Sequence, residues 1–196
     1  MARWIYGFGG DEIGAKGAAL AAAGRIGIAV PPGFAIGTAA TAYFLKHGVF
    51  PSGFKAELDR MLDGLAEQTG RRFGDEGAPL LVAVRASPQR VMPGLAPAVL
   101  NLGMSEAAAE ASDDPAFAFD CRRRFLRHFG ETVRRLDGVE FEERQDEIRR
   151  ARSSSEGREI SKAFAALIEE ETGSPVPSDP RAQLAAAIQA IVHCWR

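Results

Sequence analysis

The chain has 196 residues, 46% of them hydrophobic, and a formal net charge of −2. That length allows one domain or two small ones, with enough apolar residues to bury a real core. The slightly acidic balance argues against a nucleic-acid binder driven by overall charge, though not against a local basic pocket. Two cysteines, Cys121 and Cys194, with no CxxC and no clustered histidines, fit a reduced intracellular protein without structural zinc. Its apolar runs fall short of the roughly 20 residues that span a bilayer. Met1 to Tyr6 leads into a glycine cluster and not into a signal-peptide h-region. The expectation is a soluble, cytoplasmic chain with no membrane and no nucleic-acid partner.

The glycine-rich segment from Gly7 to Gly17 invites two phosphate-loop readings, and both fail on detail. A dinucleotide fingerprint starting at Gly7 needs glycine where Glu12 stands. A Walker A loop needs Gly-Lys-Ser/Thr, whereas Lys16 is flanked by Ala15 and Gly17. What remains is a lysine at the start of an alanine-rich helix, about Lys16 to Gly24. A cation there opposes the helix dipole unless an anion sits beside it. The alternative is a solvated lysine on a frayed turn.

Val30-Pro31-Pro32-Gly33 forces an extended path, and Phe34 and Ile36 alternate as a short strand. Thr38 can cap a helix through about His47. Phe54, Leu58, Met61, Leu62 and Leu65 fall at helical spacing and predict an amphipathic helix ending near Gly70.

The segment Val84 to Leu95 lies between two β-prone runs, Leu80–Val84 and Val99–Leu102. Pro88, Pro93, Gly94 and Pro97 exclude regular helix or central strand between them. The reading is strand, stiffened loop, strand. Arg85 falls at the strand end and Arg90 on the loop, a placement suited to an anion such as phosphate. The competing reading is an ordinary hairpin with solvated arginines.

Ser105 opens an alanine- and glutamate-rich helix. Asp114-Pro115 marks another start, with aspartate as N-cap and proline at the first helical position. Phe117, Cys121, Phe125, Phe129, Val133 and Leu136 predict one apolar face running to Gly138. Arg122, Arg123, Arg124, Arg127, Arg134 and Arg135 take the other side. They are read as a solvated face pairing with the acidic stretch Glu140–Glu147, in preference to a nucleic-acid surface. Residues Arg149–Glu156 read as a loop. Ile160, Phe164, Leu167 and Ile168 predict a helix closed by Gly173, and Asp179-Pro180 starts a last one carrying Leu184, Ile188, Ile191 and Trp195. The chain stops inside that helix, which reads as a cut.

Several of these segments resemble the pyruvate, phosphate dikinases. Ile13-Gly14-Ala15-Lys16-Gly17-Ala18-Ala19-Leu20 is similar to their "GGKGANL" segment, and Val30 to Phe34 to their "VPPGF". Val84-Arg85, Met92-Pro93-Gly94 and Val99 to Gly103 resemble "VRS…MPG…VLNLG" with the spacing intact. Phe119-Asp120, Arg123, Arg124-Phe125 and Phe129-Gly130 resemble the "FAYDSYRRFIQMFG" helix. The similarity extends through Glu170 to Gly173 and on to the terminal helix.

The resemblance implies an α+β first lobe of an ATP-grasp nucleotide-binding domain with antiparallel strands, residues 1–104. A helical insertion subdomain, 105–196, follows and is truncated before the second ATP-grasp lobe. By position, Lys16 and Arg85 match the family's phosphate-contacting lysine and arginine. Met92-Pro93-Gly94 matches the flap over the phosphates, with Arg90 one step beyond the family's loop arginine. The implied ligand is ATP with Mg2+, the metal being held by the second lobe. The implied partners are the remaining domains, a phosphohistidine carrier and a pyruvate barrel, in an often homodimeric protein. The full-length reaction converts ATP, pyruvate and phosphate to phosphoenolpyruvate, AMP and diphosphate. None of His47, His128 and His193 has the carrier motif, so no catalytic residue is expected here.

Three departures stand out. Ala15 and Ala19 replace a glycine and the asparagine of "GGKGAN", Gln89 replaces the loop arginine, and Pro97 and Ala98 replace an aspartate and a threonine. Alanine restricts positive φ and close backbone approach to phosphate, and Pro97 lacks an N–H donor. The alternative reading is a stand-alone, non-catalytic binding or regulatory module derived from the dikinase lobe.

Overall fold

The computed structural model describes residues 3–8, 13–86, 97–150 and 156–194. It is α+β: two small antiparallel sheets among helices. Contacts divide the chain into two compact units, Met1–Arg72 with Ala86–Ala96 and Val192–Arg196, and Phe73–Arg85 with Pro97–Ile191. The boundary expected near residue 104 is a statement about family architecture.

In the first unit, β1 (Ile5–Gly7) pairs antiparallel with β2 (Phe34–Ile36), setting Ile5 opposite Ile36 and Gly7 opposite Phe34. The strand β1 is an addition to the sequence reading, since three residues are too few to show a period of two. Between the two strands runs α1 (Gly14–Arg25), two residues longer at its start than expected. Gly33 of the Val-Pro-Pro-Gly-Phe segment lies under the Phe8 ring, and an added Cβ would stand 2.8 Å from it. The helix α2 spans Thr38–His47, but its N-cap is Gly37 in extended backbone, so Thr38 lies inside the helix and does not cap it. The next helix, α3 (Phe54–Thr69), ends at Gly70, whose φ of +68° closes it. It buries Phe54, Leu58, Leu62 and Leu65 as the spacing predicts, with Met61 only partly covered. Stacked rings join Phe44 to Phe50 and Phe50 to Phe54 at centroid distances of 4.5 and 4.1 Å. The backbone N–H of Trp4 donates to Glu57 at 2.9 Å, tying the entry of β1 to α3.

In the second unit, β3 (Val82–Arg85) pairs antiparallel with β4 (Ala98–Leu102). This is the pairing the sequence reading requires, with β3 starting two residues later than expected. The short helix α4 (Glu106–Glu110) is capped by Ser105, which accepts from the Ala108 N–H at 2.9 Å. Asp114 caps α5 (Pro115–Phe129) through the Phe117 N–H at 3.0 Å, with Pro115 at the first position.

The single long helix expected to Gly138 is instead broken. A π-helical turn covers Gly130–Arg134, and Arg135 leaves it at a φ of +62°. Gly138 then opens α6 (Gly138–Arg150) rather than closing α5. Phe117 is a second correction: it is 64% exposed, while Phe125 and Phe129 are fully buried. A helix advances roughly 100° per residue, so steps of four residues drift, and Phe117 lies roughly 120° around the axis from Phe129. The helix α7 (Glu156–Thr172) ends at Gly173 with a φ of +67°, and α8 (Pro180–His193) is capped by Asp179, which accepts from the Arg181 N–H at 3.0 Å. Most of the expected loop 149–156 lies outside the described residues, as does Trp195. The core of this unit is aromatic. Phe125, Phe129, Phe141 and Phe164 are each fully buried, and the Phe141 and Phe164 rings meet edge-on at 4.9 Å.

Candidate functional site

The β3–β4 hairpin organises the candidate site. Along β3, Val82 and Val84 are half-buried while Ala83 and Arg85 are exposed. This alternation sends the Arg85 guanidinium outward at the strand end, directly across from Ala98. The register is set by a bulge. Val82 faces Leu102 and Val84 faces Val99, so Leu100 and Asn101 together oppose the single residue Ala83. Asn101 takes a left-handed conformation, φ +55°, which its side-chain type tolerates better than most. The bulge allows Val99 and Leu102, three residues apart, both to be fully buried. Gly103 follows with a φ of +101°, where an added Cβ would stand 2.8 Å from the Leu80 carbonyl oxygen. The Val-Leu-Asn-Leu-Gly run is therefore a backbone device that fixes where Arg85 emerges.

The end of α5 packs beside this hairpin. Thr132, on the π turn, donates its hydroxyl to the Ala98 carbonyl at 3.4 Å. His128, four residues earlier, is half-buried, and its buried Nδ1 makes no hydrogen bond. Burial holds the imidazole below its ordinary pKa. Glu131 and the Arg124 carbonyl favour the proton, while the charges of Arg127 and Arg85 oppose it. The sequence reading set His128 aside for lack of the carrier motif and did not single out Thr132. The available signal was Gly130, a glycine inside an otherwise strong helical pattern.

Lys16 is the third residue of α1, part-buried in a first turn that carries no acidic side chain. Gly14 has a φ of +67°, whereas Ala15 has no positive φ. The glycine-to-alanine departure at Ala15 therefore strains nothing in this backbone. Gly17 is buried beneath Ile13, and an added Cβ would stand 3.0 Å from the Ile13 side chain. Lys16 belongs to the first unit and Arg85 to the second. Arg90, Met92, Pro93 and Gly94 lie outside the described residues.

Other features are accounted for without a ligand. On α5, Arg127 binds Glu131 at 2.8 Å and Glu142 of α6 at 2.7 Å, and Arg123 donates to Gln145 at 2.9 Å. Of that face, Arg127 pairs with the acidic stretch, whereas Arg122 pairs with Glu106 and Arg123 and Arg124 with Asp120; the Arg122 and Arg123 side chains are 14% and 15% exposed, so the expected solvated face is in part covered. Cys121 is buried, and burial raises its thiol pKa, as for a small core residue. A shallow groove of about 440 Å3 in the first unit is lined by Phe8, Leu20, Arg25, Pro31, Pro32 and Gln68 among others, and reaches neither Lys16 nor Arg85. Among the described residues, no three His, Cys, Asp or Glu side chains cluster to hold a metal ion. No helix among them is long and apolar enough to cross a membrane.

The fold and this geometry define an α+β protein with an arginine held outward at a bulged hairpin end. No family model matches the chain. Comparison with curated proteins supplies the lineage. The chain is 36% identical over 218 residues to "Pyruvate, phosphate dikinase" of Rhizobium meliloti, covering 100% of this chain and 24% of that protein. It is 35% identical over 200 residues to "Pyruvate, phosphate dikinase 2" of Zea mays, covering 94% and 22%. The Clostridium symbiosum "Pyruvate, phosphate dikinase" is 29% identical over 215 residues, covering 100% and 25%. The chain is a relative of the pyruvate, phosphate dikinases, homologous to their N-terminal region. It spans about a quarter of the length of the curated relatives it matches.

Proposed function

We propose that the chain carries the phosphate-contacting part of a nucleotide site in a dikinase-like phosphotransferase. The observation that carries this reading is Arg85, exposed at the end of β3 within a run similar to the dikinases. Lys16, in a helix first turn free of acidic side chains, adds a second cation. In this reading both contact the ATP phosphates, and Arg90 with Met92, Pro93 and Gly94 forms the loop over them. Mg2+ would be bound by a further lobe, and no step through a metal is derived from the residues here. The reaction of the whole protein would convert ATP, pyruvate and phosphate to phosphoenolpyruvate, AMP and diphosphate. Its further domains would be this chain's partners, in a homodimer. A cytoplasmic location goes with this reading, although a rice relative is named chloroplastic.

The 196-residue chain alone should bind ATP weakly. Two or three charge-assisted hydrogen bonds contribute roughly 1.5–3 kcal/mol each. Lost translational and rotational freedom opposes them by about 4–15 kcal/mol. The expected dissociation constant is on the order of millimolar or weaker. The test titrates ATP and Mg2+ into the chain by NMR, with Lys16→Ala and Arg85→Ala alongside, and incubates it with β- and γ-labelled ATP and pyruvate. Weak binding lost in both variants, without covalent label, is expected. Absence of ATP-dependent shifts at millimolar ligand would sink the nucleotide reading. Micromolar affinity or labelled protein would show a self-sufficient site. Binding unaffected by either variant would remove Lys16 and Arg85 as the phosphate contacts.

A further inference from the structure

Resting on the nucleotide reading of Arg85, we propose that His128 is a second anion-binding residue at that end of the hairpin. It meets a phosphate group of the ligand and takes up a proton from solvent as the ligand binds. No bond of the ligand is made or broken.

The placement comes from three linked observations. Arg85 is paired across the hairpin with Ala98. The Ala98 carbonyl accepts from Thr132. Thr132 follows His128 by four residues, about one helical turn, so the two share the side of α5 and its π turn that meets the hairpin. The electrostatics agree, since the Arg85 charge is among those that act on the imidazole.

The groups around the ring set the direction of the effect. Glu131 on the π turn favours the imidazolium, and so does the Arg124 carbonyl one turn back, in a geometry short of a formed hydrogen bond. Arg127 on α5 and Arg85 on β3 disfavour it, and burial disfavours it most. An unliganded His128 is therefore neutral at neutral pH. A phosphate seated against Arg85 offsets that guanidinium and adds negative charge beside the ring. Both changes raise the imidazole pKa. Binding then draws in a proton, and affinity rises as pH falls between the free and the liganded titration midpoints.

The experiment follows the His128 ring Cε1–H signal by NMR across pH in the full chain. It uses wild type and Arg85→Gln, each alone, with ATP, and with inorganic tripolyphosphate at millimolar concentration. Without ligand, the midpoint should lie below that of an ordinary histidine and rise in Arg85→Gln. With ATP the wild-type midpoint should rise by about one pH unit, equivalent to roughly tenfold in affinity. His128→Gln should weaken ATP binding several-fold near about pH 6 and leave it unchanged near about pH 8. If ATP binds in an Arg85-dependent way while the His128 midpoint stays put, the inference fails and the nucleotide reading survives. If tripolyphosphate moves the midpoint and ATP does not bind, His128 serves an inorganic anion and the nucleotide reading fails. If neither anion moves it and neither binds in an Arg85-dependent way, both are overturned.

Discussion

The side-chain amide of Asn101 donates to the backbone carbonyl of Cys121 at 3.2 Å, and so joins the bulge of β4 to the middle of α5. Asn101 does two jobs at once. Its left-handed backbone makes room for the extra bulge residue, and its side chain ties the hairpin to the helix beneath. The first job needs a residue that tolerates positive φ, and the second needs an amide donor.

The two roles separate by substitution. Asn101→Gly keeps the conformation and loses only the hydrogen bond, for a cost of about 0.5–1.5 kcal/mol. Asn101→Val loses both and adds about 1–3 kcal/mol of backbone strain. Urea denaturation of the two variants measures the difference. Equal destabilisation would show that the left-handed conformation at this position is not what the bulge depends on. ATP-induced shifts near Arg85 should survive in Asn101→Gly and fade in Asn101→Val, because the register at Arg85 is lost only in the latter.

Gly130 marks the junction of α5 and the π turn. An added Cβ would collide with the Phe141 ring and come within 3.3 Å of Ile168. Phe141 is fully buried and held edge-on against Phe164, so its ring has nowhere to move. Gly130→Ala should destabilise by about 1–3 kcal/mol through overpacking. The thermal midpoint should fall by roughly 2–4 °C per kcal/mol for a chain of this size. An unchanged midpoint would mean that the contact between α5 and α6 is looser than described.

Asp120 predicts the acid limb of stability. Burial pushes its carboxyl up, but the hydrogen bonds and charges of Arg123 and Arg124 outweigh that and hold it below the usual carboxylate range. Arg124 bonds it at 2.7 Å and the Arg123 Nε at 3.1 Å. A depressed folded-state pKa stabilises the protein above the unfolded value of about 3.9 and ceases to do so as pH falls through the folded value. Asp120→Asn should therefore lower the denaturation midpoint near about pH 6 and converge with wild type as pH falls through the folded-state value. Parallel pH profiles for the two proteins would remove Asp120 as the cause.

Much of the local structure was legible in the sequence because short-range chemistry sets it. Ser105, Asp114 and Asp179 each stand at a helix start and each caps it, since their side-chain oxygens reach orphan N–H groups a few residues on. Gly70 and Gly173 close helices because glycine enters the left-handed region without steric cost. The pairing of β3, which ends at Arg85, with β4 was legible too, from two β-prone runs around a proline-stiffened loop. So was the kinship with dikinases, from the order and spacing of its motifs.

What the sequence could not show depended on partners far along the chain. Phe117 looked like core by its spacing and is exposed, because a stripe of four-residue steps winds away from the surface that buries Phe125 and Phe129. The need for glycine at position 130 is explained by Phe141, eleven residues on, which fills the space a side chain would need. Arg85 and Lys16 were candidates by residue type and motif. That the Arg85 charge acts on His128 came only from the packing of α5 on the hairpin, through Thr132 and Ala98. Caps, turns and motif identity lie within a few residues, and the chain determines them by itself. Which side chains share an electrostatic environment is decided when long-range packing brings α5 against β4, and no local pattern encodes that.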